Sequence, residues 1–429
     1  MGILNRIEIS IEISGRQVHI GDITGNSSND GIFTYSSEYL QSPSARPISI
    51  SLPLQKESFS EIQTRNFFDG LLPEGFVRKT IAKDIQRDEK DYLNILSALG
   101  QECLGAIQVG KYTESVMPEY IKMSPAEVKE LANEGVTKSV NLVKKSHLSL
   151  TGASGKVGLY YDPSDQSWFL PKGTAPSTHI VKQSHVRLND IVVNEQLSLL
   201  TAKKLGIDIP DSFIVFRDTK EEENVLFATK RYDRIINNKS KKISGLSAPF
   251  RLHQEDFAQA FGINSIDKYE QNGEHYLKKM TDLLRNYSVD PISDIVKLWD
   301  AVIYSYLLGN TDGHLKNFSL IYSSDLKSLR LAPIYDIIST TIYESSVRNM
   351  AFSINGKKGL DDIRITDFEK EAESIGLSKM IAANRLAYFL DNFESALRSS
   401  AAELMSDGYF AAQQIQESIF ENGGFAVIK

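Results

Sequence analysis

Asp312 and Asn317 lie five residues apart in Gly309-Asn310-Thr311-Asp312-Gly313-His314-Leu315-Lys316-Asn317, directly after the apolar run Ala301 to Leu308. A carboxylate and a carboxamide at this D-x-x-x-x-N spacing suit phosphoryl transfer from a nucleotide. The Asp accepts the proton of the attacking hydroxyl, and the Asn holds a Mg²⁺. Such chemistry needs a second metal-binding carboxylate soon afterwards, at a strand end. Phe318-Ser319-Leu320-Ile321-Tyr322 reads as a strand, Ser323-Ser324-Asp325 as a turn, and Leu329-Arg330-Leu331 as the return strand. The chain then enters Ala332-Pro333-Ile334-Tyr335-Asp336-Ile337, which puts Asp336 where that carboxylate belongs. Two residues that merely cap turns would explain Asp312 and Asn317, but not the hairpin and the second Asp. His314 and Lys316, between them, are expected to face the phosphates or Asp312.

A site of this kind also needs a loop over the phosphates and a lysine. After His147-Leu148-Ser149-Leu150 comes Thr151-Gly152-Ala153-Ser154-Gly155-Lys156-Val157-Gly158-Leu159-Tyr160, two short strands around a glycine-rich turn. Glycines let backbone N–H groups approach phosphate oxygens and form an anion nest, so Gly152, Ala153, Ser154, Gly155 and Lys156 are candidate nucleotide contacts. It is not a Walker A loop, because position 150 is Leu150 and position 157 is Val157. Lys182, in Thr178-His179-Ile180-Val181-Lys182-Gln183, sits inside an apolar strand and needs an anion to offset desolvation. Glu195 at the start of the next helix is an ion-pair candidate for it, though the helix dipole alone accounts for a first-turn Glu. The strand Leu226 to Tyr232 is expected to lie along the adenine, with Arg231 and Tyr232 contributing backbone contacts.

Composition narrows the class. At 429 residues the chain is too long for one ordinary core. With 41% hydrophobic and 24% charged residues it reads as an ordinary globular protein. The single cysteine, Cys103, excludes an internal disulfide, suits a reducing cytosol and reads as structural. No apolar run approaches the roughly 18 residues of a membrane span. Met1-Gly2-Ile3-Leu4-Asn5-Arg6 lacks the Ser or Thr of a myristoylation signal, and the strand-like alternation that follows is unlike a signal peptide. A cytoplasmic location is therefore expected. Lys and Arg number 48 against 55 Asp and Glu, a net charge of −7, which argues against tight direct binding to DNA.

These elements predict an α+β protein. Residues 1–110 read as a small α+β domain that opens on the hairpin Ile7 to Asp22. Residues 111–250 read as a β-rich lobe with the glycine loop, and 251–429 as a helical lobe with the catalytic loop and the metal-binding hairpin. That is a protein-kinase-like two-lobe fold preceded by a smaller domain. No H-E-x-x-H or G-x-S-x-G motif supports a metalloprotease or α/β-hydrolase.

The whole chain resembles the HipA-type serine/threonine kinases, toxins of bacterial toxin–antitoxin systems. In the first domain the resemblance rests on Arg46 to Leu54, on Asn66-Phe67-Phe68-Asp69-Gly70-Leu71-Leu72-Pro73-Glu74-Gly75, and on Leu99 to Ala106. It continues through the glycine loop, Thr178 to Lys182, Asn194-Glu195, Arg231-Tyr232-Asp233-Arg234, Arg251 to Phe257, Thr311 to Ser319, and Pro333 to Asp336. The resemblance implies ATP and Mg²⁺ as cofactors and protein serines as substrates, aminoacyl-tRNA synthetases among them. By position it makes Asp312 the catalytic base, Asn317 and Asp336 the metal ligands, Lys182 the phosphate-binding lysine, and Ser149 an inactivating autophosphorylation site. It also implies a helix-turn-helix antitoxin, HipB-like, through which the protein reaches operator DNA.

Two departures from the family stand out: Thr-Gly-Ala-Ser-Gly-Lys where the best-known members have Gln-Glu after Gly-Ala, and Lys230 where a Glu is common. Two alternatives share the same core residues. One is a catalytically weak kinase fold that serves as antitoxin co-repressor. The other is a small-molecule or lipid kinase, since Asp312-Gly313-His314 is similar to the catalytic loop of phosphoinositide 3/4-kinases.

Overall fold

The computed structural model describes residues 6–25, 27–100, 102–110, 117–133, 156–183, 188–215 and 225–429. Ser149 and the glycine-loop residues Gly152, Ala153, Ser154 and Gly155 lie outside the described residues. The chain forms two compact units, each discontinuous in sequence. One comprises Met1–Gln183, Ala228–Ser265 and Ile321–Ser328, the other Ser184–Phe227, Ile266–Leu320 and Leu329–Lys429.

The first unit opens on β1 (Ile7–Ile13) and β2 (Arg16–Thr24). Isoleucines at every second position of β1 are buried, the period of a strand with one face on the core. Ser14 and Gly15 join the strands with φ of 50° and 77°, as a two-residue turn that follows the right-handed strand twist requires. With β3 (Ile32–Tyr35) and β4 (Ile107–Val109) they form a sheet in the order β3-β2-β1-β4. Phe33, Phe59, Phe67 and Phe68 are buried beside it, with Phe33 stacked on Phe59. A second sheet contains β5 (Glu119–Lys122), β6 (Lys156–Asp162), β7 (Ser167–Lys172) and β8 (His179–Gln183) in the order β5-β7-β6-β8. The strand Leu226–Lys230 continues it beyond β8.

Buried charge joins distant segments of this unit. Glu102 accepts Arg234 Nη2 at 2.8 Å and Arg231 Nη1 at 3.2 Å on Oε1, and Arg251 Nη2 at 2.7 Å on Oε2. Asp233 accepts Arg231 Nη2 at 2.7 Å, Arg234 Nη1 at 2.9 Å and the Gly105 amide at 2.7 Å. Glu12 adds a bond to Arg251. Burial alone would raise the Glu102 carboxyl, but Arg234, Arg251 and Arg231 outweigh it and hold the pKa at about 2. Among the described residues, Glu255 has no cation among its bonds. It accepts Ser49 Oγ at 2.5 Å, Ile50 N at 3.1 Å and the Tyr322 hydroxyl, and burial pushes its pKa up to about 7.

The second unit is mostly helical. Its central helix, Pro291–Leu308, starts with Asp290 as N-cap and Pro291 in the first turn. It ends at Gly309, whose φ of 76° suits glycine and where a Cβ would strike Thr341. Trp299 and Tyr306 on this helix meet Phe368 edge-on, and Tyr304 OH donates to Ser198 O of the helix Ile191–Lys204 at 2.6 Å. No helix among the described residues is long and apolar enough to cross a membrane.

Candidate active site

In the second unit the candidate residues grow out of the C-terminus of the central helix. Once Gly309 has reversed the chain, Asn310 N returns to Ser305 O at 2.8 Å, and Asn310 Oδ1 accepts Asp312 N at 3.2 Å. His314 N donates to Asp312 O at 2.8 Å and to Asn317 Oδ1 at 3.2 Å, and Asn317 N closes the turn on His314 O at 2.9 Å. Asp312 and Asn317 therefore sit on one interlocked turn, with Asp312 exposed and His314, Lys316 and Asn317 buried.

Asp336 is tied to the same turn through its neighbour. Tyr335 OH donates to Lys316 O at 3.0 Å and lies 2.6 Å from Ser319 Oγ. The Asp336 backbone is left-handed, φ 58°, a conformation non-glycine residues visit rarely and Asp tolerates better than most. Past Asp336 the chain is strapped to the helix end. Ser339 Oγ donates to Leu308 O at 2.8 Å, Thr340 Oγ1 to Gly309 O at 2.9 Å, and Thr311 N to Thr340 Oγ1 at 2.8 Å. The buried Asn194 amide pairs with both backbone groups of Ser339.

The donor set suits a hard cation. Asn317 offers an amide oxygen that His314 N orients, and Asp336 a half-buried carboxylate. Mg²⁺ is commonly held by one or two such oxygens, with phosphate and water supplying the rest. Among the described residues no three His, Cys, Asp or Glu side chains cluster as a cage built from protein alone.

Other candidates lie in the first unit. Lys182 on β8 is buried and stands directly opposite Lys156 in the β6–β8 register. Directly opposed residues share a sheet face, and like charges so placed destabilise the pair unless an anion meets them. Tyr232 is half-buried just beyond the strand Leu226–Lys230. Arg231 lies just past the end of that strand. Its guanidinium is buried on Asp233, Glu102, Ser177 and Cys103 O, and its N–H donates to Thr178 O at 2.9 Å. Its side chain therefore belongs to the buried charge cluster.

Three residues carry parts of this arrangement that spacing did not single out: Tyr335, Thr340 and Tyr269. Tyr269 OH donates to Asp312 Oδ1 at 2.5 Å from 43 residues upstream, a contact no local pattern announces.

Residues 148–397 match the model of the HipA-like C-terminal domain, and residues 11–110 that of the HipA N-terminal domain. Y4mE of Sinorhizobium fredii (strain NBRC 101917 / NGR234), named a kinase by inference, is 29% identical over 413 residues, 92% of each chain. A similarly named chain of Haemophilus influenzae (strain ATCC 51907 / DSM 11121 / KW20 / Rd) is 26% identical over 270 residues, 57% of this chain and 71% of that one. Among solved structures, the Shewanella oneidensis MR-1 toxin–antitoxin complex of HipA, HipB and operator DNA contains a chain that matches with TM-score 0.77. The match covers 98% of this chain and 99% of that one at 19% identity, so the two share a fold. Matched in both halves of its sequence and along its whole fold, the chain belongs to the HipA family.

Proposed function

We propose that the protein is an ATP- and Mg²⁺-dependent kinase of protein serine or threonine hydroxyls, the toxin of a toxin–antitoxin pair. The observation that carries this reading is the turn Asp312–Asn317, locked through Lys316 and Tyr335 to the left-handed Asp336. Asp312 takes the proton from the substrate hydroxyl as its oxygen bonds to the γ-phosphorus, while the bond to the β-phosphate bridging oxygen breaks and ADP leaves. Asn317 and Asp336 would hold Mg²⁺, and Lys182 and Lys156, opposite each other in the β6–β8 register, would bind the phosphates. Bound Mg²⁺ supplies neutralisation of the charge that builds on the phosphate oxygens. His314 and Lys316 would face the phosphates or Asp312 from within the turn, and Tyr232 would contact the adenine.

The relatives' names support the kinase part of this reading, and the complex that contains the structural neighbour supports the partner. A helix-turn-helix antitoxin carries the protein to operator DNA, since a chain at −7 lacks the positive face that DNA demands. An aminoacyl-tRNA synthetase in the cytoplasm is the proposed substrate, and phosphorylation of Ser149, beside the glycine loop, switches the enzyme off by adding about −1.5 to −2 of charge.

The test is phosphate transfer from radiolabelled ATP by the purified protein, alone and with lysate proteins separated on a gel. Label in substrate bands that Asp312→Asn removes is the expected result. Equal labelling by wild type and Asp312→Asn would overturn the assignment.

A further inference from the structure

Tyr269 is held from both sides. On one side, Lys268 O accepts Leu315 N at 3.2 Å, which joins this stretch to the catalytic turn. On the other, the buried Glu270 carboxylate accepts Tyr276 N at 3.0 Å and Ser353 N at 3.1 Å, and Glu270 N donates to Ala351 O at 3.1 Å. The ring stands edge-on to His314, centroids 5.1 Å apart at 84°, and Lys268 Nζ lies over its face. The phenol thus reaches Asp312 from a fixed platform, although the ring itself is 41% exposed.

We propose that Tyr269 is the positioning residue of the catalytic base, an inference that rests on the kinase reading of Asp312. An exposed aspartate rotates about its side-chain torsions, and each departure moves the accepting oxygen away from the substrate hydroxyl. The Tyr269 donor engages Oδ1 at 2.5 Å and restricts that rotation, which keeps the carboxylate in place for the hydroxyl. The phenol keeps its own proton, while the substrate proton goes to Asp312. Such placement acts on the chemical step, because displacement of a reacting group by about 1 Å costs on the order of 100-fold in rate.

Tyr269→Phe removes the donor and keeps the ring against His314. The expected result is a fall in kcat of about tenfold with an unchanged KM for ATP, within the range that orientation effects span. Residues that act through one another are not additive, so Tyr269→Phe added to Asp312→Asn should cost nothing further. Unchanged kcat in Tyr269→Phe would overturn the proposal while the kinase reading stood. A further loss on top of Asp312→Asn would also overturn it, because that outcome marks a structural role. A readout independent of catalysis is the ¹⁹F resonance of fluorotyrosine placed at position 269. It should shift on Asp312→Asn, and a stationary signal refutes the contact. A wild-type protein with no ATP-dependent transfer would sink the kinase reading and the positioning role with it.

Discussion

The Asn194 side chain pairs with the Ser339 backbone on both edges. Oδ1 accepts Ser339 N at 3.1 Å, and Nδ2 donates to Ser339 O at 2.8 Å. Nδ2 also reaches the Tyr343 hydroxyl at 3.1 Å, so one fully buried amide clamps the stretch that follows Asp336 onto the helix Ile191–Lys204.

Asn194→Ala leaves the buried N–H and C=O of Ser339 without those partners. Each orphaned group costs about 1–3 kcal/mol, so a loss of about 2–6 kcal/mol in urea unfolding is expected. Phosphoryl transfer should fall with it, because the strap that positions Asp336 loosens. A wild-type unfolding midpoint would contradict the clamp.

Asp312→Asn and Asp336→Asn should separate chemistry from nucleotide binding. Loss of the base costs roughly 10²–10⁴-fold in kcat and leaves Mg²⁺-dependent ATP binding in place. Asp336→Asn is expected to weaken that binding as well, without loss of thermal stability, since Asn tolerates the left-handed backbone as Asp does. Titration calorimetry with ATP and Mg²⁺ distinguishes the two. Equal ATP affinity in both variants would remove Asp336 from the metal.

Glu255 makes stability fall as pH rises. Its carboxyl, ordinarily near 4.5, stands at about 7 in the folded protein because of burial. A raised carboxyl binds its proton more tightly when folded. Its contribution is complete below about pH 4.5 and is lost as pH rises through 7, on the order of 3 kcal/mol. Glu255→Gln should abolish that slope in denaturant midpoints recorded from pH 5 to 8. An unchanged slope would show that another group titrates.

Glu102 acts in the opposite direction. With its pKa held at about 2, its contribution is present above about 4.5 and disappears as pH falls toward 2. Glu102→Gln at neutral pH leaves Arg231, Arg234 and Arg251 under-compensated in a dry site, a change of roughly 3–5 kcal/mol. A variant with a wild-type melting temperature would refute this.

Spacing along the chain exposed the residues that act within a few positions of one another. The Asp312–Asn317 turn, the Ser319–Leu331 hairpin and the Ser14-Gly15 turn are local, and type and period announce them. Long-range partners leave no such trace. Tyr269 reaches Asp312 across 43 residues, Asn194 reaches Ser339 across 145, and Glu102 reaches Arg231 across 129. Arg231 shows the same limit: nothing in its local sequence announces the carboxylates that surround its side chain.

The buried charge cluster also determines where this chain tolerates being cut. Glu12 and Glu102 come from the first 110 residues, whereas Asp233 and all three arginines come from later sequence. A fragment starting at residue 111 would keep Arg231, Arg234 and Arg251 around Asp233 alone, an excess of +2 stripped of the carboxylates that now compensate it. The leading domain is in this sense an internal counterion for the rest of the chain.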